Sequence, residues 1–115
     1  TGIMSNDDDL RDAVKSASER TGEQMWPLPL PAEMREKLDS KIADIANIGD
    51  RWGGALQAGL FLQEFVADGV RWAHLDIAGP AFNSDKPSGY TPTGGTGEPV
   101  RTLVTLIEEA AAGTL

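Results

Sequence analysis

His74 and Asp76 are the side chains in this 115-residue chain whose types and spacing come nearest to catalytic chemistry. They stand two apart in the run Trp72-Ala73-His74-Leu75-Asp76-Ile77, and residues i and i+2 of a strand face the same side. An imidazole oriented by a carboxylate is half of a nucleophilic triad. The other half is missing. The chain has no cysteine, and no serine stands in a nucleophile-elbow setting. A lone histidine in an apolar strand reads as a hydrogen-bonded structural residue, and nothing gives the spacing of a His-rich zinc site.

Two other groups invite a chemical reading. Asp7-Asp8-Asp9 suggests a cation site, but consecutive helical residues point in different directions and no calcium-loop spacing follows. Helix capping accounts for them better. Thr93-Gly94-Gly95-Thr96-Gly97 precedes a helix, a position where backbone amides can cradle phosphate. No Lys-Ser/Thr follows and G-x-G-x-x-G is not formed, so a tight entry to the helix explains the glycines. By residues alone, the chain carries no complete catalytic constellation.

The elements that would position these groups can be read in order. Ser5 or Asn6 caps a first helix, whose stripe is Leu10, Ala13, Val14 and Ala17 and which stops near Thr21-Gly22. Gly22 to Pro31 is too rich in proline for helix and reads as a surface strap pinned by Met25, Trp26, Leu28 and Leu30. Pro31 starts a short helix through Leu38. Ser40 to Asp50 is ambiguous between helix and strand. Gly54 to Val66 is apolar on nearly every side, the mark of a buried helix. After a break at Asp68-Gly69, Trp72 to Ile77 reads as a short buried strand running into Ala78-Gly79-Pro80. Pro80 to Pro99 is irregular. A last helix carries Val100, Leu103, Val104, Ile107 and Ala111 and ends at Gly113.

Helix, strand, then small residues at the strand's carboxyl end form half of an α/β unit. Ligands of open α/β sheets bind beyond the carboxyl ends of strands, which directs attention to Ala78 through Phe82. One strand, at most two, against three or four helices is too little sheet to stand alone, so the chain reads as a piece of a larger domain. It begins Thr1-Gly2 without an initiator Met, which suggests trimming.

Composition narrows the partners. With 10 basic and 18 acidic residues the net charge is −8, which argues against nucleic acid and anionic membrane surfaces. No apolar run reaches membrane-spanning length. The absence of cysteine fits a reducing, cytoplasmic setting.

Taken together, several blocks resemble the C-terminal end of the leucyl aminopeptidase (cytosol aminopeptidase) family: Gly22-Glu23 with Trp26-Pro27-Leu28-Pro29-Leu30, Ala43-Asp44-Ile45-Ala46-Asn47-Ile48-Gly49, Trp72 through Gly79, and Thr96-Gly97 before Val100-Arg101. The resemblance runs along essentially the whole chain in the correct order. It implies a three-layer α/β/α two-metal exopeptidase domain, helix-rich with one or two strands in this part, from an enzyme that removes leucine-like N-terminal residues from peptides. It further implies a homo-oligomer, a hexamer, and two divalent ions (manganese, zinc or magnesium) that polarise the scissile carbonyl and activate a bridging water. The family's ligands lie in a lysine-led segment and an N-T-D-A-E-G-R motif, neither of which occurs here, so no bound metal and no catalytic residue is expected of this chain. What carries over is the substrate pocket. Ile48 corresponds to the wall for the second substrate residue. Ala78 and Ala81 correspond to the wall for the N-terminal residue. Two other readings remain: a non-catalytic interaction module that binds a protein partner through the Pro-rich strap, and an unrelated small protein sharing this fold segment. The missing initiator Met counts against the latter.

Overall fold

The computed structural model describes all 115 residues. Its centre is a strand with no evident sequence signature, β1 (Gly2–Ser5). Ile3 and Met4 are fully buried and point to opposite faces, because side chains alternate along a strand. On one side β1 pairs in parallel with β2 (Trp26–Pro27); on the other it pairs antiparallel with β3 (Ala73–Asp76), Ile3 opposite Leu75 and Met4 opposite His74.

Three layers follow from that alternation. Ile3 packs with Val14, Met25, Leu10, Ala73, Leu75 and Leu106, which joins the sheet to α1 (Asp8–Thr21) and α3 (Val100–Ala112). Met4 faces α2 (Gly54–Gln63). There Gly59 comes so close that an added Cβ would lie 2.7 Å from the Met4 sulfur. The helix-rich α/β class stands. The sheet is richer than the one or two strands expected, since β1 and β2 join β3, and a small ribbon forms from β4 (Phe82–Asn83) and β5 (Gly94–Gly95).

Helix α1 runs as its stripe dictates, and Gly22 closes it at φ +76, a left-handed conformation that side chains other than glycine resist. The cap, however, is Asp7, whose Oδ1 accepts from the Leu10 N–H at 2.7 Å. Ser5 and Asn6 are spent elsewhere. The Ser5 hydroxyl donates to the Trp72 carbonyl, and the Asn6 amide accepts from the Trp72 N–H and donates to the Val70 carbonyl. Asn6 thereby continues the β1–β3 ladder with its side chain.

Five expectations need correction. Trp26 does not pin the strap. It is 73% exposed, because β2 is held by backbone bonds (Trp26 N–H to the Thr1 carbonyl, Leu28 N–H to the Ile3 carbonyl) and by buried Met25. Ser40 to Asp50 is neither helix nor strand. Helix α2 stops at Gln63 and buries only Gln57, Gly59 and Leu60, leaving Leu62 and Phe65 exposed, and β3 is half-buried rather than buried. On α3 the stripe of Val100, Leu103, Val104 and Ile107 is largely exposed, while Thr102 is buried and Leu106 packs against the core. The remaining element, a 3-10 helix at Ala32–Leu38, follows Pro31 as expected.

Candidate substrate-pocket wall

At the carboxyl end of β3 the chain makes a turn whose two halves are fixed by different side chains. Asp76 Oδ1 accepts from the Ala78 N–H at 3.0 Å, and the Ile77 carbonyl accepts from the Ala81 N–H at 3.0 Å. That sets the entry. The exit is set by Thr96: its hydroxyl donates to the Pro80 carbonyl at 2.6 Å and its N–H donates to the Ala81 carbonyl at 3.0 Å. Ala78 is exposed at the crest and Ala81 is half-buried. Both methyl groups therefore sit on a turn tied down at each end.

Ile48 reaches the surface on a separate support. The Ala46 N–H donates to the Leu38 carbonyl at 2.8 Å. Beyond Ile48, Asp50 binds Lys37 Nζ at 2.6 Å and accepts from Gln57 Nε2. Gly49 lies against Gln57, where a Cβ would come within 2.0 Å of its amide oxygen, so a larger residue would have to push that amide off Asp50 and Trp52. Held between these anchors, Ile48 is 80% exposed. No hydrogen bond joins this segment to the 77–81 turn.

His74 and Asp76 share a face of β3, as their spacing requires, yet they do not form a pair. His74 stacks against Trp72, ring centroids 6.3 Å apart at 12°, and Asp76 serves the turn. The amides at the start of α3 are also committed. The buried Glu23 carboxylate accepts from the N–H groups of Arg101 and Thr102 and from the Thr102 hydroxyl. A carboxylate thus fills the helix N-terminus where phosphate would have bound. Gly97, at φ +77, makes the tight entry. Sequence reasoning missed Glu23 and Thr96 as organising residues. Both lie in the quoted blocks, but their partners are distant in sequence.

Electrostatics points the same way. Asp7 is held below the ordinary carboxylate range by the Leu10 N–H and then by Arg71. Hydrogen bonding to Lys37 and to the Trp52 N–H does the same for Asp50, and Arg35 does so for Glu64. Each of these serves structure, and none lies in the 77–81 turn. No three Asp, Glu or His side chains converge to hold a metal ion, so these residues do not by themselves fit the two-metal site that the resemblance implies. A cleft of about 420 Å³ opens between the strap and the 80–99 loop, walled by Glu23, Pro80, Phe82, Tyr90, Thr96 and Arg101 among others. Tyr90 closes one side, its hydroxyl donating to the Gly22 carbonyl and its ring under the Arg101 guanidinium at 4.1 Å. No helix is long and apolar enough to cross a membrane.

Comparison with known proteins agrees with the resemblance. Residues 1–104 match the family described as cytosol aminopeptidase family, catalytic domain. A probable cytosol aminopeptidase of Streptomyces coelicolor is 63% identical over 114 residues, 99% of this chain and 22% of that protein. One from Mycobacterium leprae is 54% identical over 111 residues, 96% of this chain and 21% of that protein. Among solved structures, the bottromycin maturation enzyme BotP superposes with a TM-score of 0.93 at 48% identity, over 97% of this chain and 25% of that one; it is also known in complex with Mn. The cytosol aminopeptidase of Coxiella burnetii gives 0.84 at 38% identity, over 94% of this chain and 23% of that one. The chain spans about a fifth of the length of the curated relatives it matches. It belongs to the cytosol aminopeptidase family, with residues 1–104 matching part of that family's catalytic domain.

Proposed function

We propose that these residues form the C-terminal portion of the catalytic domain of an aminopeptidase that hydrolyses leucine-like N-terminal residues from peptides. Their own share of the work is to wall the substrate pocket. The observation that carries this reading is the turn at the end of β3: it presents the small side chain of Ala78 to solvent and fixes it through Asp76 and Thr96. It does so within a stretch that matches the family's catalytic domain. In this reading Ala78 and Ala81 bound the space for the N-terminal side chain, and Ile48 contacts the next residue. Small methyl groups at the wall leave room for a branched aliphatic side chain, and burying that side chain favours its binding.

Two divalent ions, held by residues other than these 115, would supply the activated water. Manganese, magnesium and zinc are the candidates, and the manganese complex of BotP favours the first. The assembly is a hexamer in the cytoplasm. Family membership supports both points.

The test uses the full-length protein. Purified with manganese, it should hydrolyse leucine p-nitroanilide, lose that activity to a chelator and regain it when metal returns. The 115-residue chain alone should show none. Metal-dependent hydrolysis by the short chain, or its absence in the full-length protein, would contradict the proposal.

A further inference from the structure

The geometry points to Thr96 as a positioning residue for substrate selection. It acts through the turn that carries Ala78 and Ala81, without touching substrate itself, and the inference rests on the reading of those alanines as pocket wall. Three observations lead to it. Thr96 is the one residue that binds two consecutive carbonyls of the turn, those of Pro80 through its hydroxyl at 2.6 Å and of Ala81 through its N–H at 3.0 Å. The same hydroxyl oxygen accepts from the Glu98 N–H at 3.3 Å, so both its donor and an acceptor site are used. Next to it, the β4–β5 ribbon pairs Phe82 with Gly95. The clamp is therefore the first rung of a short ladder.

Direction matters here. Asp76 fixes where the turn begins. Ala81 sits at its end, its N–H on the Ile77 carbonyl, and the carbonyls of Pro80 and Ala81 are both held by Thr96. The side-chain bond runs to a backbone carbonyl. Losing it therefore leaves the peptide between Pro80 and Ala81 held only at its N–H, by the Ile77 carbonyl, so that it can tilt about that bond without emptying a packed core, since Thr96 is only half-buried. A tilted peptide moves the Ala81 methyl and changes the pocket's width. A bulky N-terminal residue senses that change more than alanine does.

The experiment compares kcat and KM of the full-length metal-loaded enzyme for leucine and alanine p-nitroanilides. Thr96→Val removes the hydroxyl and keeps the shape. The expected result is a KM for leucine raised so that the leucine-to-alanine ratio of kcat/KM falls roughly fivefold, the size of one net hydrogen bond. Thr96→Ser, which keeps the hydroxyl, should restore the ratio. If the valine variant does not fold, Thr96→Ala reads the same loss. An equal fall in kcat for both substrates with the ratio unchanged would mean a merely structural role and overturns the inference, as does a serine variant that behaves like valine. Ala78→Leu run in parallel separates the two layers. If it leaves discrimination intact, the pocket reading fails and takes this inference with it. If it alters discrimination while the Thr96 variants do not, only the Thr96 inference falls.

Discussion

Glu23 and Thr102 stand 79 residues apart in the chain and meet in the interior, where the Glu23 Oε2 accepts from the Thr102 N–H at 2.8 Å and from its hydroxyl at 2.7 Å. Glu23 is 3% exposed and Thr102 is fully buried. The carboxylate thereby hooks the first turn of α3 to the start of the strap, and Arg101 flanks it from the surface at 3.6 Å. Buried donors left unpaired cost about 1–3 kcal/mol each. Glu23→Ala should therefore lower stability by roughly 3 kcal/mol. Glu23→Gln, which retains an acceptor, should cost less than half as much. Urea unfolding of the full-length protein measures both. An alanine variant with the wild-type midpoint would refute the hook.

The cap of α1 makes a pH-dependent prediction. Asp7 has its carboxyl held below the ordinary value of 3.8 by the Leu10 N–H and Arg71. A depressed folded value means that the cap's contribution is fully present above pH 3.8 and is lost as pH falls through the lower folded value. Asp7→Asn keeps an acceptor for Leu10 but no charge. It should flatten that part of the acid-stability curve while lowering the neutral-pH unfolding midpoint less than Asp7→Ala does. Superimposable acid-unfolding curves for wild type and Asp7→Asn would show that the carboxylate does not act this way.

How much of this was legible from the chain depended on whether an element carries its own period. Helix α1 does, with Leu10, Val14 and Ala17 on one stripe and Gly22 at its end, and it folds where that pattern sets it. β1 is four residues long and borders the helix cap, too short for a two-residue period to register, although Ile3 and Met4 are fully buried. β2 contains Pro27, which argues against a strand; a two-residue edge pairing to β1 accommodates it. Helix α2 looked buried because its residues are apolar. Its length and cover are set by neighbours, and within these 115 residues these are Met4, Leu30 and the 3-10 helix at Ala32–Leu38. For the site, Ala78, Ala81 and Ile48 were named from the family's blocks. Of the residues that hold them, Asp76 makes a local bond to the Ala78 N–H that its side-chain type allows, whereas Thr96 and Gln57 act on groups farther along the chain that no local pattern encodes.

The exposed apolar faces lead to a third prediction. Leu62 and Phe65 at the end of α2, and Val104 and Ile107 on α3, are open to solvent in this chain. Covering each large apolar side chain is worth roughly 1.5–3 kcal/mol, and contiguous patches of this kind seldom persist on monomers. The 115-residue chain produced alone should therefore sediment as an assembly heavier than its 12.2 kDa at micromolar concentration. A well-folded species of that monomer mass would show that these faces tolerate water.

The most direct measurement of the central claim, that the turn after β3 walls the pocket for the N-terminal residue, is the substrate profile of Ala78→Leu in the full-length enzyme. Three added carbons at an exposed wall should crowd a large side chain and leave a small one room, with overpacking costs of about 1–3 kcal/mol. The predicted result is a fall in kcat/KM for leucine p-nitroanilide of roughly ten- to a hundredfold, with alanine p-nitroanilide nearly unaffected. Equal losses for the two substrates, or no loss for either, would contradict the assignment of Ala78 to the pocket.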